Sequence, residues 1–217
     1  HSSRSYGVDD VPLWKGELFA DKTLMIHTEG GFGDMIQLSR FIPLAAQRGA
    51  RTIVRVRREL LTPVQQSFPD QRFITEEEPV PDHDLQCPVL SLPYALGTTT
   101  DTVPFAKGFL KADPHKQELW QRRVCDDDAR LGRLGAGRRI GLVWAGAPHR
   151  EIKTAELANQ RRSTDLATFA PFAQAAPDAV FYSLQVGENA AEAKHPPRGM
   201  TLIDHTAHLK DFSDTAA

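Results

Sequence analysis

Apolar positions along the chain fall into short runs that alternate with helical stripes. Residues 23–27 (Thr-Leu-Met-Ile-His) form a run that ends at Thr28-Glu29-Gly30-Gly31-Phe32-Gly33-Asp34, which reads as a strand entering a glycine turn. From Asp34 onward, Ile36, Leu38, Phe41, Ile42, Leu44 and Ala45 recur at helical spacing. Gly49 stands where a C-cap belongs, so the pattern predicts a helix over 34–48. Residues 52–56 are β-branched and strand-like, 59–67 read as a second helix closed by Pro69, and 72–74 suit a third strand. The acidic, proline-bearing stretch 76–82 reads as a solvated loop. Pro88 and Pro93 place residues 84–93 at a strand end leading into a loop. Residues 116–134 are charged and helical, with Trp120 and Leu131 as expected anchors.

After Gly135-Ala136-Gly137 the order starts again. A strand predicted at 139–144 stops at Ala145-Gly146-Ala147-Pro148-His149. A polar connection over 150–162 leads to Ser163, the expected cap of a helix carrying Leu166, Phe169, Phe172 and Ala173. Strands follow at 180–185 and 200–204, and residues 211–217 read as the opening of a helix. The pattern predicts an α/β chain with a Rossmann-like N-terminal domain over 1–137. Residues 138–217 then form the first part of a second Rossmann-like domain.

Composition acts mainly by exclusion. With 217 residues and 41% hydrophobic side chains, the chain can bury a sizeable core. A net charge of -2 supplies no general field for nucleic acid or anionic lipid. No apolar run approaches the ~20 residues that span a bilayer. Cys87 and Cys125 match neither a disulfide framework nor a CxxC motif, which points to a reducing cytoplasm, although the pair would also suit a single bridge. The opening His1-Ser2-Ser3 lacks a methionine and a signal-peptide pattern, and reads as the start of an excised segment.

The glycine turn is the most informative local signal. Glycines between a strand and a helix let a ligand approach the backbone, and the helix N-terminus favours negative charge. A dinucleotide fingerprint fails here, because Ile36 occupies the position that needs a small residue. Where an acidic ribose partner belongs, the second strand ends in Arg55, Arg57 and Arg58 before Glu59. Asp34 then has two readings, a helix cap or a functional carboxylate kept ionised by the macrodipole. In the second half, Trp144-Ala145-Gly146 with Arg161-Arg162-Ser163 has the parts of a phosphate site, against the alternative of a solvated loop with incidental arginines. His83, Asp84 and Cys87 match no standard metal spacing, and no metal or cofactor is expected. Neither a GxSxG elbow nor a Walker loop occurs.

Nine segments in this order carry a resemblance. They are Trp14-Lys15-Gly16, residues 23–27, Glu29-Gly30-Gly31-Phe32-Gly33-Asp34-Met35-Ile36-Gln37, Arg40-Phe41-Ile42-Pro43-Leu44, the 87–93 run, Gly141-Leu142-Val143-Trp144-Ala145-Gly146, Arg162-Ser163, Ser183-Leu184-Gln185 and the 211–217 segment. Together they resemble the glycosyltransferase-like domain that follows tetratricopeptide repeats in many bacterial proteins. That domain is similar to the lipopolysaccharide heptosyltransferases of glycosyltransferase family 9, and distantly to O-linked N-acetylglucosamine transferases. The resemblance covers residues 11–217 and implies a GT-B fold, with acceptor on the first domain and nucleotide-sugar donor on the second.

By the same resemblance, Asp34 is the general base that takes the acceptor hydroxyl proton. Glu29, Gly30, Gly31, Gly33 and Gln37 would border the acceptor, which is lipopolysaccharide, another glycan or a protein. Trp144, Gly146, Arg162, Ser163 and Gln185 would face the donor. Gly30 departs from the family, whose members usually carry glutamine there. The family also continues past residue 217 with a second donor motif, so this segment alone is expected to be inactive. Upstream tetratricopeptide repeats are expected in the full-length protein. The two other readings are a non-catalytic GT-B binding module and, less favoured, an NAD(P)-dependent oxidoreductase.

Overall fold

A computed structural model describes residues 10–105, 107–132, 137–148 and 153–217. The 135–136 turn and residues 149–152, both part of the sequence reading, lie outside them. In the first unit, β1 (Phe19–His27), β2 (Gly49–Val56), β3 (Arg72–Thr75) and β4 (Leu85–Pro88) form a parallel sheet in the order β3-β2-β1-β4. Strand alternation sorts the side chains of β1 between two faces. Leu24 and Ile26 join Val54, Val56, Leu85 and Cys87 in the main core, whereas Met25 meets Ile53, Ile74 and Val80 in a smaller cluster. Helices α1 (Phe32–Leu38), α2 (Ile42–Ala46) and α3 (Arg58–Ser67) add Met35, Ile42, Ala45, Leu60 and Val64 to the main core.

The helix expected over 34–48 is broken. Residues Ser39–Phe41 form a 3-10 turn between α1 and α2. Pro43 has no N–H to offer the Ser39 carbonyl, and its ring disfavours a continuous α-helix there. The Ser39 hydroxyl bonds back to the Ile36 carbonyl at 2.8 Å. After β4, the expected loop is instead a 3-10 turn, Val89–Ser91, and a short helix, α4 (Leu92–Ala95). Pro93 lies in the first turn of α4, where a missing N–H costs nothing.

Helix α5 (Pro114–Arg130) carries the division between units. The units are His1–Gln117 with Asp211–Ala217, and Glu118–Lys210. The boundary thus falls inside α5 and again before Asp211, rather than at 137. Asp113, which precedes the helix, accepts from Gln66 of α3 at 2.9 Å, while the far end of α5, itself in the second unit, bonds to Arg139 and His205 of that unit. The expected anchors do not hold it: Trp120 is only part-buried and Leu131 is exposed beyond the helix end. Its buried side chains are Asp127 and Asp128, which pair with Arg130 and His205, and with Arg139, respectively. Buried carboxylates need such partners, which is why a charged face is the one turned inward.

The second unit is built on a parallel sheet, β5-β6-β7, formed by β5 (Arg139–Leu142), β6 (Val180–Ser183) and β7 (Leu202–Asp204). Its core holds Leu142, Trp144, Leu166, Phe181 and Met200. The expected polar connection is helix α6 (Lys153–Arg162), so Ser163 follows a helix C-terminus and does not cap an N-terminus. That cap is Asp165, which accepts from Thr168 N–H at 2.9 Å at the head of the 3-10 turn Leu166–Phe169, followed by α7 (Ala170–Ala175). Hydrogen bonds from Thr168 hold the Asp165 carboxyl below its ordinary range.

Helix α8 (Phe212–Ala216) belongs to the first unit. It packs on α3, and Phe212 lies 5.0 Å from the Phe32 ring, centroid to centroid. Lys116 reaches Asp214 at 2.9 Å and Asp211 at 3.4 Å. Both cysteines are free thiols, Cys87 buried and Cys125 exposed, so the alternative of a bridge between them falls. Among the described residues, no helix is long and apolar enough to cross a membrane. The observed class is mixed α/β with two parallel sheets, compatible with a Rossmann-like fold.

Candidate functional site

The glycine turn leaves the C-terminal end of β1, the sheet edge at which ligands bind in open parallel α/β folds. Gly30 adopts φ +77°, a conformation that L side chains rarely enter, and a Cβ there would lie 2.4 Å from Asp34 Oδ2. The turn can therefore fold back far enough for the Asp34 carboxylate to accept from Gly31 N–H at 2.6 Å. Asp34 is the third residue of α1 and makes the reach-back half of a capping box, since Gly31 has no side chain to return the bond. The cap reading thus describes a real contact, made by reaching back from the first turn. It leaves Asp34 exposed, with its carboxylate oriented by that bond.

The glycines of the turn differ in what they permit. A Cβ on Gly31 would make only an ordinary 3.5 Å contact, and one on Gly33 would meet nothing within 4 Å. Packing therefore requires glycine at position 30 alone. Gly33 leaves open space beside Asp34. Gln37, one turn on, is exposed, and Glu29 is half-buried near the Cys87 thiol. Burial first, and then the charge of Glu29, push that thiol up to about 12.

Three residues outside the expected set shape this edge. Arg57, just past β2, donates to the Gly30 carbonyl at 3.1 Å and lies 4.9 Å above the Phe32 ring. Its signal was present in the arginines that end the second strand. Phe212 backs Phe32 from α8. His27 is buried at the end of β1 and, with Thr28, Arg55 and Glu76, lines a cavity of about 250 Å³. Burial, reinforced by His83 and Arg55, lowers its pKa to about 4 against a weaker opposing bond from Gln86. The cavity is therefore floored by a neutral imidazole at physiological pH.

In the second unit, Trp144, Gly146, Arg162, Ser163 and Gln185 do converge. Gln185 Oε1 accepts from Trp144 N–H at 3.0 Å and Ala145 N–H at 2.9 Å, and its amide donates to the carbonyls of Ala145 and Val186. It is a buried clamp between the segments that follow β5 and β6. Gly146 N–H donates to Ser163 Oγ at 3.1 Å, and Thr164 N–H to the Trp144 carbonyl at 2.8 Å. The backbone donors of residues 144–146 are thus satisfied within the protein. Trp144 itself is buried core.

What this cluster presents outward is Arg162, exposed in the last turn of α6 with Arg161. Guanidinium groups suit a helix C-terminus, and they bind phosphate by charge and by their fixed fork of donors. The sequence reading invoked a helix N-terminus for an anion at this point. The geometry replaces it with the arginine pair, because α6 ends here. Asn159, absent from the expected set, lies at the centre of the cluster. It was invisible because residues 153–162 lack an apolar stripe and were read as loop.

No family model matches the chain, and no curated protein or solved structure matches it either.

Proposed function

We propose that the chain carries acceptor-side and donor-side units of an inverting GT-B glycosyltransferase, which transfers a sugar from a nucleotide-sugar to an acceptor hydroxyl. The observation that supports this best is Asp34, an exposed carboxylate at the C-terminal sheet edge, oriented by Gly31 N–H and flanked by the open space at Gly33. A base needs fixed orientation and access, and this residue has both.

In the proposed reaction, the acceptor oxygen bonds to the anomeric carbon from the face opposite the leaving group. Its proton passes to Asp34, and the bond from the anomeric carbon to the phosphate oxygen breaks. The nucleoside diphosphate departs with the electron pair; within the second unit, Arg162 is the group proposed to bind such a diphosphate. Replacing Asp34 by Asn in the full-length protein keeps the shape and removes the base. Transfer should fall about 10²- to 10⁴-fold. An unchanged rate overturns the assignment.

One observation favours a second reading, a non-catalytic binding module on the same fold. The backbone donors of residues 144–146, which would otherwise cradle a diphosphate, are taken up by Gln185 and Ser163. Calorimetric titration of the protein with a panel of nucleoside diphosphates separates the two. Binding supports the transferase, and the absence of binding to every nucleotide supports the module.

A further inference from the structure

Helix α6 places Asn159, Arg162 and Ser163 on one face at i, i+3 and i+4. Asn159 is 6% exposed, and all its polar atoms point into this group. Its Oδ1 accepts from Arg162 Nε at 3.2 Å and from Ser163 Oγ at 3.3 Å, while its Nδ2 donates to the Gly146 carbonyl at 3.4 Å. Ser163 Oγ in turn accepts from Gly146 N–H. One carboxamide therefore ties the loop after β5 to the end of α6 through both faces of the Gly146 peptide environment.

Gly146 is what permits the approach. A Cβ there would lie 2.2 Å from Asn159 Oδ1, 2.9 Å from Arg162 Nη2 and 3.2 Å from Arg162 Nε. The space that a side chain would fill holds the carboxamide and the guanidinium instead. An exposed arginine ordinarily samples many rotamers. Here its Nε is held, which fixes the plane of the fork.

We infer that Asn159 is the positioning residue of a diphosphate subsite: seated against Gly146, it holds Arg162 in the orientation that receives the donor's phosphates. The inference rests on the glycosyltransferase reading of this cluster and adds a residue to it. Asn159 acts through Arg162 and does not touch the ligand.

Inorganic pyrophosphate probes the subsite without committing to a base or sugar. It is titrated calorimetrically into the full chain and into the Asn159→Ala, Arg162→Ala and double variants, with thermal melts as a check on folding. Asn159→Ser serves if the alanine variant does not fold. Wild type should bind, Arg162→Ala should abolish most binding, and Asn159→Ala should weaken it about tenfold. In the Arg162→Ala background the Asn159 substitution should change affinity less than about twofold, because its effect passes through the missing guanidinium. Two results overturn the inference and leave the donor-site reading standing: wild-type affinity in Asn159→Ala, or an equal loss in both backgrounds. If wild type binds neither pyrophosphate nor any nucleoside diphosphate, the donor-site reading falls and takes this inference with it.

Discussion

His27 supplies a quantitative test of the first unit. In the unfolded chain its imidazole titrates at its ordinary value of 6.5, and in the fold at about 4, chiefly because it is buried and then because His83 and Arg55 oppose a further positive charge. Between those pH values the unfolded chain binds a proton that the folded chain refuses. Stability therefore rises with pH across this window, is fully present above it, and is lost as pH falls from 6.5 toward 4. Acidification from pH 7 to 5 should cost about 2 kcal/mol through this group, and its full contribution is about 3 kcal/mol. Urea unfolding of wild type and His27→Gln at pH 7, 6 and 5 isolates the term, since other titrating groups are common to both proteins. The free-energy advantage of wild type should shrink by about 2 kcal/mol between pH 7 and 5. A histidine ring resonance that titrates near 4 and vanishes in His27→Gln would confirm the assignment directly. A pH-independent difference between the two proteins would refute it.

The glycine turn and the thiols give two further tests. Gly30→Ala should destabilise the protein by about 1–3 kcal/mol, from its positive φ and the clash with Asp34. Gly33→Ala, in open space on α1, should stabilise by up to about 1 kcal/mol and, on the glycosyltransferase proposal, raise the acceptor KM of the full-length protein; an unchanged KM would mean that no substrate uses that space. Thiol labelling at pH 8 should modify the exposed Cys125 quickly and the buried Cys87 only on unfolding, and rapid labelling of both would contradict the packing around β4.

Legibility in the sequence followed the strength of the local signal. α3 and β3 were read within a residue of their observed spans, and β1 and β2 were found by their continuous apolar or β-branched runs, buried on both faces, with only their first residues missed. The glycine turn, too, was placed correctly at a strand end. Reading failed where burial is ionic or where periodicity is lacking. Helix α6 has no apolar stripe, so Asn159 went unseen and Ser163 was assigned to the wrong end of a helix. Helix α5 turns Asp127 and Asp128 inward, against the usual expectation for charge, and only the pairing with Arg130, His205 and Arg139 explains it. Gln185 and Trp144 were grouped with the donor contacts, but their proximity to Gly146 comes from packing and a backbone clamp.

The ties of Lys116 to the last helix carry a consequence for biosynthesis. Its partner Asp211 is 95 residues further along the chain. At ribosomal speeds of about 5–20 residues per second, Lys116 waits roughly 5–20 s for that carboxylate to be made, while the whole of Glu118–Lys210 emerges in between. During that interval the surface of α3 that α8 will cover is bare, so the first unit reaches its final packing only after a continuous second unit has had time to fold.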